Sequence, residues 1–246
     1  MLSEEFSGYR IAHISDLHNA TLSKDNKKLL SLLRESEPDI IAITGDLIDA
    51  RNTDFKTALH FVGEAMKIAP CYYVTGNHEA RIPEYTQFRE DLTALGVDIL
   101  DDDRTQIVRQ NKKITLIGVN DPSFKVDYIS NDERSVIRDS LAELTDESNG
   151  FTVLLSHRPE MFDIYADSGV NVVLCGHAHG GQFRLPFVGG MFAPSQGFFP
   201  EYDSGLYTEG NTGMLVSRGI GNSLFPFRVN NRPEIILLVL QSKDSI

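Results

Sequence analysis

Short apolar segments of the chain alternate with longer amphipathic ones. The apolar segments, rich in valine, isoleucine and leucine, predict β-strands at residues 9–14, 39–43, 71–74, 97–100, 105–109, 113–119, 151–155, 172–174, 214–217 and 234–240. The amphipathic segments predict helices at residues 25–35, 53–67, 83–96, 131–145 and 159–167, with Asp25 as the N-cap of the first. The β-branched run at 39–43 is typical of a strand that is covered on both faces. This order of elements predicts an α/β protein whose sheets are built from strand-helix-strand units.

Residues 183–207 have a different character, because they are rich in glycine, proline and aromatic residues. We expect an ordered loop there rather than a helix. Its phenylalanines form either a small local core or the entrance for a substrate with an apolar part; they are Phe183, Phe187, Phe192, Phe198 and Phe199. The chain has no internal repeat, low-complexity segment or linker, so we expect residues 1–246 to form one domain.

Five of the predicted strands end in a small residue, with or without a glycine, and a polar side chain suited to metal binding follows. The five strand ends are Ser15-Asp16, Thr44-Gly45-Asp46, Thr75-Gly76-Asn77, Ser156-His157 and Cys175-Gly176-His177. Each alone has an ordinary explanation, such as a turn or a helix cap. The carboxyl ends of strands in such sheets converge on one crevice, however, so we expect the five to meet.

Histidines are concentrated at these strand ends. Five of the seven histidines lie there, namely His18, His78, His157, His177 and His179, whereas His13 and His60 receive no role. A mixed set of imidazole and oxygen ligands suits manganese, iron, zinc or nickel better than calcium or magnesium. No thiolate belongs to the set, which argues against a structural zinc site.

The excess of acidic over basic residues argues against some classes of binding partner. Lys and Arg number 23 against 35 Asp and Glu, a formal charge of −12, and no dense basic cluster is present, so we expect no nucleic-acid partner. Cys71 and Cys175 each end a predicted strand and are expected to be small buried side chains. No apolar run is long enough to cross a bilayer and no signal peptide is present, so we expect a location in the cytoplasm or at the periphery of a membrane.

The ordered motifs resemble those of the calcineurin-like metallophosphoesterases. They are Asp16-x-His18, Gly45-Asp46-x-x-Asp49, Gly76-Asn77-His78-Glu79, the single His157, and Gly176-His177-x-His179. The resemblance implies a four-layer α-β-β-α sandwich, with two mixed sheets flanked by helices and a site for two metal ions at the carboxyl edge of the strands. The continuation Gly180-Gly181-Gln182 and the later residues 217–221 resemble a bacterial branch that contains membrane-associated or exported phosphodiesterases and UDP-diacylglucosamine pyrophosphatases.

The resemblance also implies a role for each residue of the motifs. One ion would be bound by Asp16, His18, Asp46 and His179, and the other by Asp46, Asn77, His157 and His177. The ions would be divalent or trivalent transition metals, manganese first, with iron, zinc or nickel as alternatives. A hydroxide that bridges the two ions would attack the phosphorus, and Asp46 would serve both ions.

Further residues would support the reaction. His78 would stabilise or protonate the leaving oxygen, Asp49 would support the site from outside the ligand set, and Glu79 would orient His78. Arg51, Arg81, Arg158 and Arg218 are candidate phosphate contacts, although solvation at the surface is the more common role for any single one of them.

The predicted function is therefore metal-dependent hydrolysis of a small phosphodiester or pyrophosphate. Aromatic residues after Gln182 leave room for a substrate with an apolar part, and association with a membrane stays open, as does the oligomeric state. Two alternatives compete with this prediction. One is a module of the same fold that binds metal or protein without catalysis, and the other is a nuclease, which the acidic charge disfavours.

Overall fold

The structure, a computed structural model, describes residues 1–126, 132–145, 150–222 and 225–242, and within them two larger sheets. The first has the strand order β15 (Ile236–Val239), β1 (Arg10–Ile14), β2 (Ile40–Thr44), β3 (Cys71–Val74) and β4 (Asp98–Ile99). The second has the order β13 (Gly205–Glu209), β14 (Thr212–Val216), β8 (Val172–Cys175), β7 (Phe151–Leu155), β6 (Lys112–Gly118) and β5 (Asp103–Arg109).

Both sheets are mixed. Strands β1 to β4 run parallel, and β15 joins them antiparallel at the edge. In the second sheet β6, β7, β8 and β14 run parallel, while β5 and β13 are antiparallel edge strands. The carboxyl ends of β1, β2 and β3 therefore lie at one edge of the first sheet, and those of β7 and β8 at one edge of the second.

Helices cover the outer faces of the two sheets. The helices are α1 (Lys27–Glu35), α2 (Phe55–Ala65), α3 (Tyr85–Ala94), α4 (Glu133–Leu144) and α5 (Phe162–Asp167). Phe61 of α2 and Phe88 of α3 pack with Ile41 and Ile43 on the first sheet. On the second sheet, helices α4 and α5 contribute a separate cluster that contains Ile137, Phe162, Leu154 and Val173.

The inner faces of the sheets form a third core. Successive residues of a strand point to opposite faces, and β2 follows this rule: Ile40 and Ala42 lie between the sheets, whereas Ile41 and Ile43 face the helices. Val153 of β7 meets the inner face from the other sheet. Three apolar cores separate four layers, so the predicted α-β-β-α sandwich of two mixed sheets is confirmed.

Some local predictions differ from the structure. Helix α1 begins at Lys27, and Asp25 has φ of 55°, so Asp25 is not its N-cap and Asn26 occupies that position. Helix α2 is shorter than predicted and begins after Asp54, whose side chain accepts a hydrogen bond from the Lys56 N–H. Residue 131, the predicted start of α4, lies outside the described residues.

The segment predicted as a loop contains two small hairpins and the first residues of a longer strand, β13. The hairpins pair β9 (Arg184–Leu185) with β10 (Gly189–Gly190) and β11 (Phe192–Ala193) with β12 (Gly197–Phe198). Strand β13 was not predicted, because it is a largely exposed edge strand with a mixed sequence, and its pairing with β14 defines it. Among the described residues, no helix combines the length and the apolar character needed to cross a membrane.

Candidate metal centre

The five polar strand ends meet at one edge of the sandwich. Backbone hydrogen bonds join the tips of β1 and β2, since the Asp16 N–H donates to the Gly45 carbonyl at 3.1 Å and the His18 N–H donates to the Asp46 carbonyl at 2.9 Å. The tips of β7 and β8 are joined in the same way, by the Gly176 N–H and the His157 carbonyl at 3.3 Å. The convergence predicted from the sequence therefore has a backbone basis.

Glycine is required at two of these tips because the chains approach very closely. A Cβ atom on Gly76 would collide with the Asp46 carboxylate, and one on Gly176 would collide with the Ser15 hydroxyl and the Asp16 carboxylate. Any larger residue would push these loops apart. The two glycines thus allow the loops to bring their polar side chains together.

Four buried side chains form a first group of potential ligands: Asp16, His18, Asp46 and His179. The Nε2 atoms of His18 and His179 lie 3.2 Å apart. His18 Nε2 lies 3.4 Å from Asp46 Oδ2, and His179 Nε2 lies 3.3 Å from Asp16 Oδ1. Two imidazole nitrogens and two carboxylates therefore face a common point.

A second group shares Asp46 with the first and adds His157 and His177. His157 Nε2 lies 3.3 Å from Asp46 Oδ2 and 3.1 Å from His177 Nδ1. Asn77 is also buried, and its Oδ1 has no hydrogen-bond partner among the residues that the structure describes. A buried amide oxygen without a donor is costly, which makes it available to a cation.

The hydrogen bonds around His157 test whether these residues fit a metal ion. His157 Nδ1 lies 2.7 Å from the Thr44 carbonyl oxygen, which can only accept, so Nδ1 carries the proton and donates it. Nε2, the other ring nitrogen, is then directed at Asp46 and His177. Metal-binding histidines are commonly oriented in this way, by donating the other ring N–H to a carbonyl group. The donor set fits a divalent transition metal.

Electrostatics support the same interpretation. Burial by itself lowers the pKa of His157, but the Asp46 carboxylate outweighs burial and raises that pKa to about 10. Burial raises the pKa of Asp16 to about 6, against the opposing effect of His157. Burial lowers the pKa of His18 to about 4. The carboxylates therefore attract positive charge into the centre, while the neutral His18 ring keeps a nitrogen lone pair.

His78 lies beside the first group, with its ring 4.5 Å from that of His18. Its Nδ1 accepts a hydrogen bond from the Ala50 N–H at 3.0 Å and lies 3.5 Å from Asp49 Oδ1. Acceptance at Nδ1 leaves the proton of the neutral ring on Nε2. Burial lowers the pKa of His78, which favours this neutral form. Asp49 and His78 also form, with His18, a third group of potential metal ligands.

Glu79 serves a different purpose from the one expected. Its fully buried carboxylate accepts hydrogen bonds from the backbone N–H groups of Gly76 at 2.8 Å and Asp46 at 2.9 Å. The carboxylate is therefore engaged by the loops and not by the His78 ring. Burial, reinforced by Asp46, raises the pKa of Glu79 to about 7. Its longer side chain spans two loops and holds them together, which the sequence motif alone did not indicate.

A pocket of about 480 Å³ opens above both groups. Arg51, Arg81 and Arg158 line it. Arg218, the fourth candidate phosphate contact, is not among the described lining residues, and its Nε lies 3.6 Å from Glu234. Arg158 is buried and forms two hydrogen bonds with Asp121, at 2.5 and 3.0 Å, so that carboxylate fixes its guanidinium.

The aromatic residues after Gln182 fit neither expectation fully. Phe183 packs against Phe225 and Phe227, and Phe192 packs against Phe198. Phe187 is fully exposed, and none of the five predicted phenylalanines is among the described residues that line the pocket. They form a partial local core, with apolar surface left exposed.

Sequence reasoning missed three residues beside the pocket. Asp121 follows the end of β6 and pairs with Arg158; its position at a strand end is a signal that could have found it. Ser195 lines the pocket from the β11–β12 hairpin, and Arg228 lies 3.5 Å from His179 Nδ1. No local pattern marks either of these two residues.

Comparison with known proteins identifies the family. The family model described as calcineurin-like phosphoesterase matches residues 9–181, which include all the motifs and most of the chain. The chain belongs to the calcineurin-like phosphoesterases. The resemblance seen in the sequence is thereby confirmed.

Relatives of this calcineurin-like phosphoesterase extend over almost its whole length. It is 31% identical to the uncharacterised metallophosphoesterase YkuE of Bacillus subtilis, over 99% of this chain and 83% of that protein. It is 28% identical to the phosphodiesterase YaeI of Escherichia coli, over 94% of this chain and 82% of that protein. The phosphopantetheinyl hydrolase PptH of Mycobacterium tuberculosis shares the fold, with a TM-score of 0.56 at 13% identity over 86% of this chain and 89% of that one.

Family membership and geometry together define the general chemistry. The protein is a metallophosphoesterase, a hydrolase that acts on a small phosphoester, and its buried aspartate and histidine groups form a candidate centre for divalent metal. The pocket described above lies over that centre.

Proposed function

We propose that the protein is a dinuclear phosphodiesterase or pyrophosphatase. The observation that carries this proposal is the position of Asp46, whose carboxylate belongs to both groups of ligands at the base of the pocket. A shared carboxylate is the arrangement expected when two ions lie about 3.5–4 Å apart.

One ion would be held by Asp16, His18, Asp46 and His179, and the other by Asp46, Asn77, His157 and His177. This division is supported by the short distances within each group and by Asn77 Oδ1, for which the described part of the chain offers no hydrogen-bond partner. Bound ions would supply activation of a water and polarisation of a phosphoryl oxygen. Manganese is our first choice, with iron, zinc or nickel as alternatives, because the ligands mix imidazole and oxygen.

His78 would assist departure of the leaving group. Its Nδ1 is occupied by the Ala50 N–H, so the Nε2 proton is free to form a hydrogen bond with an oxygen of the substrate. That hydrogen bond would stabilise the negative charge that develops on the leaving oxygen, and Asp49 lies 3.5 Å from Nδ1 of the same ring. His78 is therefore proposed as a donor to the leaving oxygen, and Asp46 as the residue that joins the two metal positions.

The substrate would be a small phosphodiester or pyrophosphate. Arg51 and Arg81 line the pocket with His78 and add positive charge beside the centre. Arg51 is paired with Asp49, whereas no acidic partner of the Arg81 side chain occurs among the described residues. Arg81 is thus the better placed of the two to meet a second phosphate group. We further propose that residues 1–246 form one domain, since β15 near the carboxyl end pairs with β1.

Hydrolysis of an aryl phosphodiester by the manganese-loaded protein tests the proposal. We expect turnover that disappears when the metal is chelated and returns when manganese is restored. A protein that binds two ions per chain but hydrolyses no diester or pyrophosphate with any of several metals would be the non-catalytic module instead. Cleavage of DNA as fast as that of small diesters would identify a nuclease.

A further inference from the structure

Ser195 occupies the tip of the β11–β12 hairpin and reaches the pocket from outside the family's motifs. The hairpin is anchored at both ends of its turn. Ala193 is buried in the helix-covered core of the second sheet, and the side chain of Gln196 exchanges two hydrogen bonds with the backbone of Tyr202, each 2.9 Å long. Ser195 itself has φ of 60°, a conformation that few side chains adopt freely. Its hydroxyl is therefore presented by a fixed turn.

Two groups approach the Ser195 hydroxyl oxygen from the protein side. Arg158 Nη1 donates to it at 2.9 Å, and His177 Nε2 lies 3.2 Å from it. Nδ1 of His177 faces His157 Nε2 and the second ligand group, where a bound metal ion would occupy its lone pair, so the proton of the neutral His177 ring belongs on Nε2. Arg158 Nη1 also lies 3.4 Å from His177 Nε2, but its hydrogen bond to Ser195 is the shorter of the two. His177 therefore also donates to Ser195, and both lone pairs of the hydroxyl are occupied.

The hydroxyl hydrogen of Ser195 has no role in these contacts. Because Ser195 lines the pocket and is exposed there, that hydrogen is available to whatever enters the pocket. A hydroxyl that accepts two hydrogen bonds, one of them from a guanidinium, is polarised and becomes a stronger donor. The arrangement suits an acceptor that carries negative charge.

Arg158 cannot easily serve that acceptor itself. Its Nε and Nη2 donate to Asp121, and its Nη2 also donates to Ser123 at 3.0 Å. Its Nη1 donates to Ser195 at 2.9 Å and lies 3.4 Å from both Glu160 and His177. The guanidinium is thus held in place, and most of its N–H donors already have acceptors within the protein. Arg158 therefore acts on a ligand in the pocket indirectly, by polarising the Ser195 hydroxyl.

We propose that Ser195 is a substrate-contacting residue, whose hydroxyl donates a hydrogen bond to a non-bridging phosphoryl oxygen. This proposal rests on the proposed function, because it assumes that a phosphoryl group occupies the pocket. It assigns to the β11–β12 hairpin a direct part in binding the phosphoryl group, beside the residues of the family's motifs.

The test compares Ser195→Ala with Ser123→Ala. Both changes remove a hydroxyl that accepts from Arg158, but Ser123 neither lines the pocket nor contacts His177 in the part of the chain that the structure describes. Alanine keeps the Cβ atom of serine, so the strain at φ of 60° is the same in Ser195→Ala as in the wild type. Ser195→Gly serves as a second variant, because it removes the hydroxyl and the strain together.

Three quantities are measured for the manganese-loaded proteins: metal content, the Kd of inorganic phosphate by calorimetry, and kcat and KM for an aryl phosphodiester. We expect both Ser195 variants to keep two ions per chain and to bind phosphate about 10-fold more weakly, since one hydrogen bond to a charged group is lost. Ser123→Ala should match the wild type within about 2-fold.

Other outcomes overturn the proposal. Equal weakening by Ser195→Ala and Ser123→Ala would mean that both act by positioning Arg158. Loss of one metal ion from Ser195→Ala would mean that the hydroxyl only orients His177. Unchanged phosphate affinity in both Ser195 variants, or no phosphate binding by the wild type, would exclude the contact. A wild type that binds phosphate but hydrolyses nothing would refute the proposed function alone, since the affinities still test Ser195.

Discussion

The buried ion pair between Arg158 and Asp121 should contribute strongly to stability. Both side chains are almost completely buried, and two hydrogen bonds, of 2.5 and 3.0 Å, join them. Asp121→Ala would leave the Arg158 charge buried without its main partner. Removal of one member of such a pair costs about 3–5 kcal/mol. Glu160 at 3.4 Å and Glu133 at 3.7 Å remain near Arg158, so we expect the lower end of this range, about 3 kcal/mol.

Urea denaturation at neutral pH measures this loss of unfolding free energy, and thermal unfolding gives a second readout. A loss of about 3 kcal/mol corresponds to a fall in Tm of roughly 6–12 °C for a domain of this size. The matched control is Asp163→Ala, which breaks the exposed ion pair between Asp163 and Arg134. Exposed pairs contribute about 0–1 kcal/mol, so the control should unfold almost as the wild type does.

The stability difference should also depend on pH. Burial alone would raise the pKa of Asp121, but Arg158 outweighs burial and holds that pKa below its ordinary value. A carboxyl with a lowered pKa stabilises the folded state above its unfolded pKa of about 3.9, and this contribution is lost as the pH falls further. The unfolding free energies of the wild type and of Asp121→Ala should therefore converge as the pH falls below about 3.9. A loss below about 1 kcal/mol at neutral pH, no larger than in the Asp163 control, would refute the reasoning.

Three further predictions concern the metal centre and the pocket. His78→Ala should lower kcat by about 10²- to 10⁴-fold while metal content, measured by mass spectrometry, stays at the wild-type level; lost metal would contradict the role given to His78. Asp46→Ala should lose both ions, because its carboxylate belongs to both ligand groups, and retention of one tightly bound ion would argue against the shared position. Arg81→Ala should raise KM more for a pyrophosphate than for a monoanionic diester, whereas an equal change for both substrates would exclude contact with a second phosphate.

The main features of the fold and the convergence of the motifs could be predicted from the sequence. Parallel strands place their carboxyl ends at one edge, so Asp16, Asp46 and His157 could be brought together from their positions after apolar runs. The division of these residues into two ligand groups was implied by the family resemblance of the motifs and not by their positions alone. Edge strand β13 could not be predicted in this way, because its exposed, mixed sequence carries no clear period.

The contacts that surround the motifs depend on tertiary structure. Arg158 lies 37 residues from Asp121 and 37 from Ser195 in the sequence, and only the packing of separate loops brings them together. The hydrogen bonds of the Glu79 side chain also depend on tertiary structure. Its position in the motif suggested contact with His78, but the close approach of the Gly45 and Gly76 loops places two backbone N–H groups within its reach.

The most direct test of the dinuclear centre is anomalous scattering from crystals of the manganese-loaded protein. The proposal predicts two peaks about 3.5–4 Å apart, with the Asp46 carboxylate between them, His179 on one ion and His177 on the other. A single peak bound by both His177 and His179 would contradict it.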